Sequence, residues 1–182
     1  MSIRNAAPGD WEGISRLLTQ LEYPGTAAFI RSKLERMLHD PAETLLVWAE
    51  PPAPAGPSAA TSGSAAASFE QSAATSEPPA PAEPPRAAAG PPATDILGFL
   101  SLHFIPQIAL QGDFARISYF AVDNEARSLG IGRQLEERAT RLATERGCAL
   151  MEVHCHTRRT RAHEFYARQG WIESPKYLIK KL

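Results

Sequence analysis

The hexapeptide RSLGIG, residues 127–132, sets Gly130 and Gly132 between a run ending ISYFAV and a run beginning RQLEERATRLA. Two glycines one residue apart, just ahead of a helical pattern, strip the backbone of Cβ atoms where a ligand could lie against it. The first N–H groups of a helix have no internal partner and the dipole is positive there, which suits a phosphate. Arg127 and Arg133 add positive charge on either side. The spacing is not that of a P-loop, because no Gly-Lys-Ser/Thr follows. Nor is it a dinucleotide fingerprint, since the third glycine is missing and the strand ends five residues earlier. The chemistry on offer is anion binding by main chain, and the pair by itself fits a structural turn equally well.

Other reactive residue types are scattered more thinly. His154 and His156 would share one face of an extended strand, but no second ligand cluster with suitable spacing accompanies them, so no metal is expected. Cys148 and Cys155 would lie about 23 Å apart on opposite faces of such a strand and cannot bridge each other. Cys155 shows no partnered nucleophile pattern and is expected to be buried. Arg158, Arg159 and Arg161 form a basic run that fits either a phosphate or the solvated start of a helix.

The elements that must position these residues follow from apolar periodicity. SIRNA (2–6) reads as a short first strand. Asp10 is expected to cap the helix WEGISRLLTQL, whose Trp11, Ile14, Leu17, Leu18 and Leu21 make one apolar stripe. After the turn YPGT, AAFIRSKLERML (27–38) reads as a second helix with Phe29, Ile30, Leu34, Met37 and Leu38 inward, broken by HDPAE. TLLVWAE (44–50), DILGFLSLHFI (95–105) and FARISYFAV (114–122) are dense in β-favoured residues. A helix from near Ile131 carries Leu135, Ala139 and Leu142 on one face and closes at Gly147. CALMEVHCH (148–156) reads as a strand, RTRAHEFYARQG as a short helix ending at Gly170, and KYLIKKL (176–182) as a final strand. Residues 114–156 thus form a βαβ unit, so part of the sheet is parallel and the class is α/β or α+β.

Composition breaks sharply once. Residues 51–94 hold eleven of the sixteen prolines and are otherwise mostly Ala and Ser, with Phe69 alone able to anchor anything. This stretch reads as a disordered, partly polyproline-like insertion, either a solvated loop or a tether that binds a partner. Stretching a hairpin turn to that length costs only roughly 3 kcal/mol of closure entropy. Residues 1–182 are therefore expected to be one domain with 51–94 inserted in a strand hairpin. The formal charge of −1 argues against a nucleic-acid partner. No apolar segment is long enough for a bilayer span, and MSIRNAAPGD lacks the apolar region of a secretory signal, so no membrane partner is expected. The cysteine usage fits a reducing, cytoplasmic setting.

The segment AVDNEARSLGIGRQLEERA resembles the pyrophosphate-binding segment of the GCN5-related N-acetyltransferases (GNAT), with the pattern Arg/Gln-x-x-Gly-x-Gly/Ala. Arg127, Gly130 and Gly132 occupy its fixed positions. AHEFYARQGW is similar to that family's second signature, matched by Ala162, Phe165, Tyr166, Gly170 and Trp171. The resemblance covers everything except 51–94. It implies a mixed, mostly antiparallel sheet splayed between two parallel strands and flanked by helices.

The resemblance also implies acetyl-CoA as cosubstrate, with the backbone of Phe120, Ala121 and Val122 pairing with the pantetheine arm. Arg127, Ser128, Leu129, Gly130, Ile131, Gly132 and Arg133 would hold the phosphates. Arg159 stands where many members place an asparagine that contacts the arm. Tyr166 becomes the general acid for the departing thiolate, since a phenol of pKa about 10 is protonated at pH 7, while Phe165 reads as core. A lysine-like acceptor amine is neutral in only about one part in 2500 at pH 7, equivalent to about 4.6 kcal/mol, so its proton needs a base or a water chain. Many relatives carry a glutamate where Ser118 stands here. A serine cannot act unaided, so a water relay or a residue from elsewhere is implied, with His103 a candidate. Glu22 and Tyr23 would lie near the acceptor entrance. The implied activity is transfer of acetyl from acetyl-CoA to a primary amine of a small molecule or peptide, by direct attack in a ternary complex, without metal. A longer acyl group and a homodimer stay open. The alternative is a CoA-binding sensor or scaffold without turnover, whose insertion recruits a partner.

Overall fold

The sheet draws strands from both sides of the proline-rich stretch. The computed structural model describes residues 2–49, 95–174 and 180. Five strands, β1 (Ser2–Asn5), β2 (Glu43–Ala49), β3 (Ile96–Ile105), β4 (Phe114–Val122) and β5 (Leu150–Val153), lie side by side in that order. Neighbours from β1 to β4 are antiparallel, and β4 and β5 are parallel. The helices are α1 (Trp11–Gln20), α2 (Ile30–Leu38), α3 (Ile131–Glu145) and α4 (Thr160–Arg168). The reading of 51–94 lies outside the described residues, as does the final strand expected at 176–182 apart from Lys180. No helix among the described residues is long and apolar enough to cross a membrane.

Both faces of the sheet are covered, which is why its inner strands read as near-continuous apolar runs. Ile14, Leu17 and Leu18 of α1 and Ile30 and Leu34 of α2 pack on Leu45, Val47, Phe99 and Ala121. On the opposite face Ile131, Leu135, Ala139 and Ala143 of α3 pack on Leu46, Leu100, Leu102, Ala115 and Ile117. Each fully buried Leu or Val contributes about 1.5–3 kcal/mol. The βαβ unit is present as β4, α3 and β5.

Two local expectations are corrected. Asp10 does not cap α1 with its side chain. It ends a 3-10 turn, Pro8–Asp10, and its own backbone is already helical (φ −78°, ψ −2°), whereas a capping residue is extended. Its carboxylate instead accepts two hydrogen bonds from Arg4, at 2.6 and 2.8 Å, and one from the Ala7 N–H at 2.7 Å, which ties β1 to the start of α1. Phe29 does not face inward and is 47 % exposed. A separate 3-10 turn, Thr26–Ala28, precedes α2, and Phe29 (φ −138°, ψ −11°) breaks the helical phase between them. Its ring lies beneath the Lys33 ammonium, 4.8 Å from the centroid.

The end of β4 is anchored to α1. Buried Asp123 accepts hydrogen bonds from Arg16, from Gln20 Nε2 at 3.2 Å and from the Glu125 N–H at 3.0 Å. The Arg16 bond, set against burial, holds this carboxyl below the usual carboxylate range. Its stabilising contribution is therefore complete above the ordinary carboxylate pKa and lost as pH falls through the lowered one.

In the β2–β3 register Ala49 is the Cα partner of Ile96, so the two ends flanking the proline-rich stretch already lie side by side. Replacing 51–94 with a short turn is expected to preserve the cooperative thermal transition, with Tm shifted by no more than a few degrees. Loss of that transition by circular dichroism would show that the stretch is needed for folding.

Candidate active site

The parallel strands separate part-way along. β4 and β5 pair only from Phe114↔Leu150 to Ile117↔Val153, while β4 continues to Val122 against β3. Beyond Ile117 the other edge of β4 has no strand partner among the described residues. The register gives the cause. Ser101 pairs with Tyr119 and Leu102 with Ile117, so Ser118 is an extra residue, a β-bulge. A bulge bends its strand and increases its twist, turning β4 away from β5. The result is a row of main-chain donors and acceptors open to an added extended chain.

The same separation ends β5 at Val153, three residues short of the strand expected to reach His156. His154, Cys155 and His156 lie past its end, so they have no common strand face. Among the described residues no group of three or more His, Cys, Asp or Glu could hold a metal ion. Both thiols are free, and Cys155 is half-buried rather than buried. Burial pushes the Cys155 thiol up, opposed by Arg159.

The glycine loop follows β4 after one short 3-10 turn, Asn124–Ala126. Ser128 (φ 67°) and Gly130 (φ 79°) are both left-handed. Arg127, Ser128, Leu129 and Arg133 are exposed, whereas the Ile131 side chain is buried in the core. Gln134 N–H donates to Gly130 O at 3.1 Å as the first bond of α3, so the N–H groups of Ile131, Gly132 and Arg133 have no acceptor within the helix. A Cβ built on Gly130 would meet only Gln134 Nε2, at 3.9 Å, so the space before the helix start is open. One built on Gly132 would touch the rings of Phe165, at 3.4 Å, and Phe120, at 3.7 Å. The loop, the unpaired half of β4 and α4 therefore converge at Gly132.

Phe165 and Tyr166 of α4 complete this junction. The Phe120 and Phe165 rings meet edge-on at 5.7 Å, and the Tyr166 ring packs against Phe165 at 5.3 Å and Trp171 at 5.4 Å. The Tyr166 hydroxyl has no hydrogen-bond partner among the described residues. Burial pushes its phenol well above the usual range, Cys155 and Glu136 add to this, and Arg159 opposes it. Glu136 is itself buried and satisfied, accepting from Thr140 Oγ1 at 3.1 Å and Trp171 Nε1 at 2.9 Å.

The connection between α1 and α2 reaches both sides of the gap. Tyr23 meets Tyr119 of β4 edge-on at 5.5 Å. Glu22, left-handed at φ 71°, pairs with Arg158, while Arg159 Nη2 donates to Leu21 O at 2.9 Å. Arg158 and Arg159 are thus engaged by protein groups at the start of α4, and Arg161 is exposed.

On the sheet itself Ser118 is exposed at the bulge, which falls between Ser101 and Leu102 of β3, and His103 pairs one position further on with Arg116. His103 Nδ1 is 2.5 Å from Glu43 Oε1, and Arg116 donates to Glu152 at 2.6 Å. The register places all four in one row across β2, β3, β4 and β5. Sequence reasoning missed Glu43, Arg116 and Glu152. The signal was present only as alternation within separate strands, whose pairing the 44-residue stretch between β2 and β3 conceals.

A mixed sheet with one parallel pair and helices on both faces sets a bare helix start beside the separation, and the family that matches the chain makes this an acyltransferase fold. The chain belongs to the GNAT acetyltransferases: the family described as Acetyltransferase (GNAT) family matches residues 66–171, more than half of its length. Among solved structures it is similar to a putative acetyltransferase from Agrobacterium tumefaciens, with 17% identity, TM-score 0.68 and all of both chains covered. An acetyltransferase from Trypanosoma brucei gives 15% identity and TM-score 0.66, covering 100% of this chain and 99% of that one. An aminoglycoside acetyltransferase from an uncultured soil metagenomic sample gives 16% identity and TM-score 0.65, covering 100% and 95%. At such identities the likeness shows the fold alone. No curated protein matches the chain.

Proposed function

We propose that the protein transfers an acetyl group from acetyl-CoA to a primary amine of a small molecule or peptide, by direct attack in a ternary complex. The observation that carries this reading is the open edge of β4 beyond Ile117, which meets the start of α3 and Phe165 around Gly132, with the ring of Tyr166 6.5 Å from that of Phe120. The amide-bearing pantetheine arm suits the unpaired main chain of Phe120, Ala121 and Val122. The diphosphate suits the loop Arg127, Ser128, Leu129 and Gly130 and the free N–H groups of Ile131, Gly132 and Arg133. When bound, acetyl-CoA supplies an activated acyl carbon and a thiolate leaving group.

The chain's own groups do the rest. A main-chain N–H of the open edge stabilises the carbonyl oxygen as it gains negative charge. Tyr166 holds a proton at Oη for the sulfur, and its raised affinity keeps that proton in place until a strong base forms beside it. The half-buried surroundings that raise the Cys155 thiol would make a thiolate leaving beside Tyr166 more basic as well. Glu22 and Tyr23 stand at the rim of the acceptor side.

Calorimetry with CoA, and thiol release from acetyl-CoA across spermidine, sisomicin and a lysyl peptide, test this. An aminoglycoside is included because one structural neighbour is an aminoglycoside acetyltransferase. Absence of CoA binding overturns the reading. Binding without thiol release for any amine favours a CoA sensor instead.

A further inference from the structure

We infer that His103, held by Glu43, is the base that takes the proton of the acceptor amine, through a water seated at Ser101. This rests on the acetyl-transfer reading above. The first observation is register. Ser101 and His103 are two residues apart on β3 and so share a face, the one covered by α1 and α2, where Leu45, Val47 and Phe99 also lie. Ser101 pairs with Tyr119 and His103 with Arg116, so the bulge at Ser118 falls between the two rows. The imidazole therefore stands one strand from the place where β4 departs from β5.

The second observation is the hydrogen bond at 2.5 Å between His103 Nδ1 and Glu43 Oε1. A carboxylate there accepts the Nδ1–H and leaves the lone pair on Nε2, the tautomer a base requires. His103 Nε2 has no partner among the described residues, and the side chain is 37% exposed, while Glu43 beneath it is 14% exposed. The third observation is a pair of orphans. Ser101 Oγ and Glu43 Oε2 are both buried without a hydrogen-bond partner, and Ser101 as a whole is 2% exposed. Buried polar atoms are almost always satisfied, so two unpaired oxygens in neighbouring rows mark a place for water.

The charged surroundings are compatible. Arg116, the β4 neighbour of His103, is paired with Glu152 of β5. In the connection before β2, His39 Nδ1 is bonded to Glu35 O, and Asp40 accepts the Ala42 N–H at 2.8 Å. The proton balance closes. The ammonium gives one proton through water to His103 Nε2 and on to solvent. The nitrogen lone pair then forms the C–N bond, the C–S bond breaks, and the sulfur takes the proton of Tyr166. The proton the nitrogen sheds on becoming an amide restores the phenol.

The test uses the full chain and whichever of spermidine, sisomicin and the lysyl peptide the wild type turns over. His103→Ala is expected to lower kcat about 100-fold with KM and CoA affinity unchanged, and added imidazole to restore much of the rate. Glu43→Gln and Ser101→Ala are expected to lower kcat about 10-fold. Independently of turnover, 15N spectra of the imidazole in the free protein should show the Nδ1–H tautomer, and a mixture in Glu43→Gln. An unchanged kcat in His103→Ala, a loss that imidazole does not restore, or an Nε2–H tautomer in the wild type would overturn the inference. Should His103→Ala fail to fold, the tautomer and the two other variants decide. No turnover by the wild type would instead count against acetyl transfer itself.

Discussion

Tyr166→Phe is expected to lower kcat by about 10²–10⁴-fold, or about 3–5 kcal/mol, with little change in CoA affinity. The separation of the two effects follows from the surroundings. The ring is fixed by Phe165, Trp171 and Phe120, and phenylalanine keeps every one of those contacts. The hydroxyl has no hydrogen bond among the described residues, so removing it strands no partner, and Tm should hold. What disappears is a proton available to sulfur. Steady-state thiol release, calorimetry with CoA and a thermal melt measure the three quantities. A kcat equal to that of the wild type would remove the phenol from the reaction. Burial holds the phenol above its ordinary value, so no alkaline loss of activity attributable to Tyr166 is expected below pH about 10.

The parts of this site that the sequence made legible are those written in local chemistry. FARISYFAV coincides with β4 and the start of α3 falls at Ile131, because β-favoured residues and the glycines mark both boundaries without help from distant residues. The errors arose where a neighbour set the outcome. One continuous helix over AAFIRSKLERML would turn Phe29 inward, but a 3-10 turn resets the phase before it. CALMEVHCH has the composition of a strand throughout, but its last residues lose their partner when β4 bends at Ser118. Nothing about Ser118 as a residue type announces a bulge; it follows from the pairing of β3 with β4. Glu43 was invisible as a partner of His103 for the same reason. The pairings of Tyr23 with Tyr119 and of Glu22 with Arg158 were hidden likewise, because each joins residues more than 90 positions apart.

Gly130→Asp is expected to raise the Kd for CoA about 5- to 150-fold relative to Gly130→Asn. The two substitutions have nearly the same shape and both tolerate the left-handed backbone that Gly130 adopts at φ 79°, so strain cancels between them. They differ by one negative charge in the open space before α3, where a Cβ meets nothing closer than 3.9 Å. A carboxylate about 5 Å from one phosphate charge repels it by about 1 kcal/mol in water and about 3 kcal/mol at an effective dielectric near 20. The same charge favours the positive end of the helix dipole, so the Asp variant should melt no lower than the Asn variant. Affinity and stability are thus expected to move in opposite directions, which a folding defect cannot imitate. The gap in Kd should also shrink as salt rises from 0.1 to 1 M, because the screening length falls from about 10 to 3 Å. Equal affinities for the two variants at low salt would place the diphosphate somewhere other than the start of α3.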